Sequence, residues 1–527
     1  MLHGSIAKAK LFYAVMVLWM ILTGVVVASP KTLVYSWTSN VGPLNPHLYS
    51  PNQMFGQAMV YEPLVRYEQG GRILPWLAES WKMEADGCAW VFHLRKDVAF
   101  SDGTPFNALA VKKNFDAVLA NAERHAWLEM VPLLTETQAL DDYTIRIVIK
   151  KPYPPILADL SLIRPFRFIS PESIPDSGNT ADGIKAPIGT GPWKLVKTRL
   201  GEYDIFERNE RYWGSKPDIE RIEVRVISDA NTCAMGFESK EVDLIYGQSQ
   251  ISLDTFDRFR NDPRYITRIS PPQAFRVLAV NSSYGATREL SVRRAIQHAV
   301  NKEAITKGIF LGTAQKADVL LPESLPYCDL KLPPYGYDPA RAAKFLDDAG
   351  WKKTKEQPFR TRDGRILSVD LCFVGNSVIE KSIAEVMQSD FQKVGIRLNL
   401  KGMEADLFSK IGKTGEFGLI FNDTWGAPYE PHAFCSSMRV PSHADYQAQV
   451  GLPMKARIDE NISLALTTLD DATRRNAYRY VLATLHEQAV YLPICSINAL
   501  MVHRKDLSGV LFGATQYEVP FEKMIKN

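Results

Sequence analysis

"MVYEPLVRYEQGGRILPWLAESWKMEADGCAWVFHLRKDVAFSDGTPFNALAVKKNF", residues 59–115, carries a strand and a turn in immediate succession. In "WVFHLR" (Trp90–Arg95) apolar side chains take every second position, the period of a strand with one buried face. "SDGTPF" (Ser101–Phe106) is then a turn cluster. The same alternation returns in "YTIRIVIK" (Tyr143–Lys150) and "RIEVRVI" (Arg221–Ile227). Helical spacing appears further on. In "YDPARAAKFLDDAGW" Asp338 is placed to cap, Pro339 suits the first turn, and Ala342, Phe345, Leu346 and Ala349 form one stripe that Gly350 ends. In "SVRRAIQHAVNKEAI" the stripe is Val292, Ala295, Ile296 and Ala299, which leaves His298 off the core face and predicts a solvated imidazole. "APIGTGPW" (Ala186–Trp193) and "RYWGSKP" (Arg211–Pro217) are further turn clusters. The first lacks the Lys-Ser/Thr ending of a phosphate loop and reads as a tight turn carrying Trp193. Interspersed strands and helices without repeats predict a mixed α/β chain with more than one lobe.

A chain of 527 residues, 46% hydrophobic and 23% charged, is long enough to build two lobes. Its 62 basic and 59 acidic residues nearly cancel, so neither nucleic acid nor an anionic membrane surface is implied as a partner. Lys8 and Lys10 precede the apolar run Leu11–Ala28, and the small pair Ala28-Ser29 closes it before Pro30. That order predicts a secretory signal over residues 1–28. A spanning helix is the alternative at this length, but Gly24 and the lack of charge beyond the run favour cleavage. No cysteine stands near the end of the run to carry a lipid anchor. The six cysteines (Cys88, Cys233, Cys328, Cys372, Cys435, Cys495) form no CxxC pair and are read as single, mostly buried thiols, outside any zinc or redox motif.

No GxSxG elbow, no HExxH and no GxGxxG after a strand occurs, so an enzyme is not expected. The opening stretch, followed in order by "PIGTGPWKLV", "RNERYWGSKPDIERIEVRVISD", "LSVRRAIQHAVNKEAI" and "YDPARAAKFLDDAGW", resembles the large periplasmic solute-binding proteins of ABC importers, the peptide- and nickel-binding type. The resemblance implies a two-lobed α/β fold with mixed sheets flanked by helices and a hinged cleft between the lobes. It places the two chain crossings near Pro271–Ala279 and Pro493–Leu500. Lobe I is then residues 30–273 with a C-terminal return at 497–527, and lobe II is 274–496. A periplasmic monomer that hands its ligand to permease subunits in the inner membrane is the corresponding expectation.

Peptide binders of this type often carry Asp in a Trp-x-x-Asp-Tyr segment to pair with the peptide ammonium. Here the segment is "WGAPY" (Trp425–Tyr429) and the position is Pro428, although Glu430 is close by. "NVGPLNPHLYSPNQM", "RHAWLEM", "RPFRFI" and "TWGAPYEPHAFCSSMRVPSHADYQ" instead resemble the nickel-binding branch. That resemblance implies His443 of "PSHAD" as the metal ligand and Arg124 and Arg164 as partners of the carboxylates of an organic chelator. It makes Tyr49, Trp127, Trp425 and Tyr429 the chamber walls, with Met54 beside them and Tyr517 where relatives carry a smaller hydroxyl residue. His432 and Cys435 are read as structural.

One imidazole cannot outcompete water and other chelators for Ni²⁺, which prefers several N or O donors. The transported ligand is therefore expected to be nickel(II) already wrapped in a chelate, with no permanent cofactor in the protein. Guanidinium forks suit such carboxylates. Coordination through His443 needs a neutral ring, so binding is expected to weaken below about pH 6. A peptide or haem carrier of the same importer class remains the alternative, and iron chelates fit the same arginines.

Overall fold

The structure is a computed structural model that describes residues 30–49, 53–355 and 357–527. The segment read as a secretory signal lies outside the described residues. Among the described residues, three sheets have four or more strands. The first has seven strands, in the order Tyr265–Ile269, Leu500–Arg504, Leu244–Gly247, Thr32–Trp37, Arg221–Val226, Tyr203–Arg208 and Trp193–Arg199. The second has five: Arg397–Met403, Ser368–Val374, Leu419–Phe421, Ala274–Val280 and Tyr491–Ile497. The third is a four-stranded sheet of Ala78–Met83, Ala89–Leu94, Thr144–Ile149 and Leu134–Asp141. Parallel and antiparallel neighbours mix within the first two. The mixed α/β expectation holds.

Each alternating run forms the strand its period predicts. In Thr144–Ile149 the inward Ile145, Ile147 and Ile149 are buried, and Ile222 and Val224 do the same in Arg221–Val226. The helix Pro339–Asp348 starts as read, with the Asp338 carboxylate accepting from the N–H of Arg341 and Pro339 in the first turn. The stripe of the helix Leu290–Ala299 is fully buried. His298 differs from expectation: it is only 4% exposed. The segment after Leu332 lies over that helix face, so Nδ1 of His298 meets the Gly336 carbonyl at 2.8 Å while the ring stacks on Phe345 and meets Tyr335 edge-on. A stripe drawn from one helix does not register a neighbour that covers its other side.

The chain leaves the first sheet at Ile269 and enters the second at Ala274; it returns between Ile497 and Leu500. The two crossings run side by side. Ser270 donates its N–H to the Ala499 carbonyl (2.9 Å) and Gln273 its own to Ile497 (3.0 Å). Asn498 Nδ2 donates to the Ser270 carbonyl (2.6 Å). Beyond them, Ala274 pairs with Ile497 and Ala279 with Tyr491, so the crossings continue into an antiparallel ladder.

Apolar cores cover the sheet faces, and one of them joins the four-stranded sheet to a face of the five-stranded one through Phe275, Val277 and Ile420. Leu33, Tyr35, Phe206 and Val224 pack one with Phe55 of the helix Met54–Val60, and Leu278, Leu371, Met387 and Phe391 pack another. The core of the third sheet (Phe92, Ile147, Phe115) runs unbroken into Phe434, Ile462 and Tyr478 from helices after residue 430. That continuity brings residues near 125–165 against residues near 425–445. "GTGP" does carry a buried Trp193, and its glycines serve close approach. A Cβ on Gly191 would meet the carbonyl oxygens of Met59 and Val60 at 2.5 and 2.7 Å, and Gly191 donates its N–H to Val60. The turn thereby grips the end of the helix whose first residue is Met54.

Candidate functional site

The loop 424–431 is tied to the crossing strand. Thr424 donates its N–H to the Phe275 carbonyl, and the Phe275 N–H donates to the Thr424 hydroxyl, both at 2.9 Å. Gly426 takes φ +73°, and a Cβ there would sit 2.3 Å from the Gln273 carbonyl oxygen, so only glycine fits. The Trp425 ring, so held, packs edge-on against Phe434. A row of rings follows: His443 to Trp425 at 6.1 Å, Trp425 to Trp127 at 6.3 Å, Trp127 to Tyr429 at 6.1 Å and Trp127 to Tyr49 at 6.0 Å. Tyr517, from the returning C-terminal segment, meets Tyr429 edge-on at 5.8 Å. Gln516 secures it by donating to both the Tyr517 hydroxyl (2.7 Å) and the Trp425 carbonyl (2.8 Å).

Arg164 closes the row. Its guanidinium lies 4.9 Å from the Tyr49 ring centroid and donates one N–H to the Tyr49 carbonyl at 2.5 Å. It is half-buried, and among the described residues no carboxylate pairs with it. Burial pulls its pKa down from the ordinary arginine value, with only neutral phenols of Tyr429, Tyr49 and Tyr517 near it to offset that. A guanidinium so placed favours an anion supplied from outside the chain. Arg164, Met54 and Tyr517 share one chamber of about 1060 Å³, counted to its solvent mouth, with Trp37, Gln53 and Gln248. Past Gln248 and Ser249 the cleft widens into a further space of about 1700 Å³ above the crossing segments at Cys495–Asn498.

Burial pushes the Tyr49 and Tyr517 hydroxyls up to about 12 and Tyr429 higher still. All three stay protonated at ordinary pH, so they offer no phenolate to a metal. Among the described residues no three His, Cys, Asp or Glu side chains converge as a metal cluster. His443, half-buried at the start of the helix Ala444–Gln449, stands as a single imidazole beside Trp425.

The sequence-named residues therefore fall into one neighbourhood, with Arg124 at its edge. Arg124 is exposed on the 3₁₀ turn Ala122–His125, near enough for its charge to act on the Tyr49 hydroxyl. His432 and Cys435 are buried, and His432 Nε2 lies 2.7 Å from Asp159 Oδ1. Glu430 does not replace the missing Asp of the peptide binders. It is 2% exposed and its Oε1 accepts the Trp425 N–H at 2.6 Å, so it braces its own loop. All six cysteines are free, five of them buried.

Residues 72–446 match the family model described as bacterial extracellular solute-binding proteins, family 5. The chain belongs to that family. This family-5 protein is 46% identical to the nickel-binding periplasmic protein of Escherichia coli (strain K12), over 94% of this chain and 95% of that one. The solved structure of NikA from Brucella suis in complex with Fe(III)-EDTA shares 52% identity and a TM-score of 0.92, covering 94% of this chain and all of that one. A dipeptide-binding protein of E. coli is 24% identical over 91% of this chain and 92% of the relative. Family-5 proteins are extracellular binders of ABC transporters, not enzymes, and their solved relatives are two-lobed.

Sequence reading missed His125. It is fully buried, its Nδ1 is hydrogen-bonded to the Tyr49 hydroxyl, and Tyr49 in turn accepts the Trp127 Nε1–H at 2.8 Å. Its one sequence signal is its place between Arg124 and Trp127 in "RHAWLEM".

Proposed function

We propose that this protein captures nickel(II) as an organic carboxylate chelate in the cleft between two lobes and delivers it to an ABC permease. Lobe I comprises residues 30–273 with the return 497–527, and lobe II residues 274–496. The observation that carries the reading is the Arg164 guanidinium, half-buried and without an acidic partner among the described residues, at one end of a row of touching aromatic rings (Tyr49, Trp127, Trp425) whose other end meets a single imidazole, His443. A carboxylate answers the first group and an open coordination position on a bound metal the second. The chelator supplies the remaining donors. Trp127, Trp425 and Tyr429 exclude water and strengthen both contacts. Arg124 stands at the rim as a second carboxylate partner, while Met54, Tyr49 and Tyr517 shape the chamber.

The likeness to the nickel-binding periplasmic protein of E. coli and to NikA from Brucella suis in complex with Fe(III)-EDTA supports a chelate as cargo. Pro428 and the inward-turned Glu430 leave a peptide ammonium without a counter-charge. Residues 1–28 act as an export signal, and the mature protein works in the periplasm as a monomer.

Native mass spectrometry tests the proposal on mature protein purified from nickel-supplemented medium, wild type beside His443→Ala. Nickel plus an organic mass in the wild type, with nickel lost in the variant, is the expected result. A metal-free peptide mass unaffected by the substitution would replace the chelate reading with a peptide carrier.

A further inference from the structure

The wall of the chamber is held by a hydrogen-bond chain that starts behind it. Trp127 Nε1–H can only donate, and it donates to the Tyr49 oxygen (2.8 Å). With one lone pair so engaged, Tyr49 is left its own O–H to give, and the atom that meets it is His125 Nδ1. With Nδ1 taking the one proton Tyr49 has to give, the ring proton of His125 sits on Nε2, a buried atom with no hydrogen-bond partner among the described residues. His125 is fully buried, its ring 5.2 Å from that of Tyr49 and nearly perpendicular to it. Burial, helped by the charge of Arg124, lowers its pKa to about 4, so at neutral pH the imidazole is uncharged and able to accept. Tyr49 carries two further loads: Arg164 lies over its ring and bonds its carbonyl. One side chain therefore orients a wall ring, Trp127, and the surface on which the unpaired guanidinium rests.

We propose that His125 is the positioning residue of the binding chamber: by accepting the Tyr49 proton through Nδ1, it fixes the direction of the Tyr49 hydroxyl and with it the settings of Trp127 and Arg164. Without that acceptor the Tyr49 O–H turns toward the chamber. It then competes with Arg164 for the ligand carboxylate, and the Trp127 indole loses its fixed tilt. The inference rests on the chelate reading above.

The test is a double-mutant cycle in full-length mature protein, with Fe(III)-EDTA as the titrated probe and thermal melting recorded in parallel. His125→Phe removes the acceptor and Tyr49→Phe the donor. His125→Phe is expected to weaken binding about 10-fold and Tyr49→Phe, which also costs Trp127 its acceptor, at least as much; the double variant should bind no more weakly than Tyr49→Phe alone, since both break the Tyr49–His125 contact. His125→Asn, whose Oδ1 reaches roughly where Nδ1 stands, should recover most of the affinity; His125→Gln, whose amide reaches the Nε2 position, should not. A cycle that multiplies to about 100-fold, or variants that lower Tm while leaving affinity unchanged, would overturn the positioning role and reduce His125 to packing. Should the wild type bind neither Fe(III)-EDTA nor nickel with L-histidine, the chelate reading itself falls and takes this assignment with it.

Discussion

Glu430→Gln probes the loop that presents Trp425 to the chamber. Burial pushes the Glu430 carboxyl up from 4.5 to about 7, against the pull of the Gly426 and Trp425 N–H groups and the Thr424 hydroxyl, and its Oε2 has no hydrogen-bond partner. Between those two pH values the folded protein holds a proton that the unfolded chain has released. Stability must then fall as pH rises, by about 1.4 kcal/mol per pH unit over that window, and level off above it. The contribution is fully present below about pH 4.5 and gone above about pH 7, a total of about 3 kcal/mol or about 3 °C in Tm for a chain this long. Glutamine keeps an acceptor for the Trp425 N–H and does not ionise. Whatever fixed cost its amide brings at low pH, the stability of the variant relative to wild type should rise by about 3 kcal/mol between pH 4.5 and pH 8. Chemical denaturation of both proteins at each pH measures this, with other carboxylates cancelling in the difference. A wild-type-to-variant gap that stays constant over that range refutes the argument.

Arg164→Ala should weaken Fe(III)-EDTA binding about 30-fold or more, about 2 kcal/mol, by leaving a desolvated carboxylate unpaired; isothermal titration showing less than a 3-fold change would sink the role given to Arg164. Arg164→Lys should recover part of that loss, because the charge returns without the fork. His443→Ala should weaken nickel with L-histidine more than Fe(III)-EDTA, whose metal is already enclosed by its own ligand; equal losses in the two titrations would deny direct coordination. Gly191→Ala drives a Cβ toward two carbonyl oxygens of the helix that bears Met54 and should cost about 1–3 kcal/mol in chemical denaturation. An unchanged midpoint would mean the turn simply shifts aside.

Much of the fold is written locally. Ile145, Ile147 and Ile149 announce their strand by spacing alone, and Asp338-Pro339 announces a helix start, because these signals need no knowledge of the rest of the chain. The site is legible differently. Tyr49, Trp127, Trp425 and Tyr517 are scattered along the chain and no periodicity links them; only the resemblance of whole segments brought them together. Where a residue's fate depends on what covers it, local reading fails. His298 reads as solvated until the segment around Gly336 is laid over it. Glu430 reads as a spare charge beside the chamber until its carboxylate is seen bound to its own loop. His125 acts through Tyr49, 76 residues away, and carries no pattern of its own.

Arg164 has a consequence for what the protein refuses. A hydrated divalent cation approaching the chamber meets a positive wall, with Arg124 at the rim adding to it and the nearby tyrosines held neutral. The groups that attract a carboxylate-wrapped metal repel the naked ion. On the proposed reading, sorting at this cleft would depend on how the metal is dressed before on which element it is: free calcium or magnesium would be repelled by sign, ahead of any contest over coordination geometry.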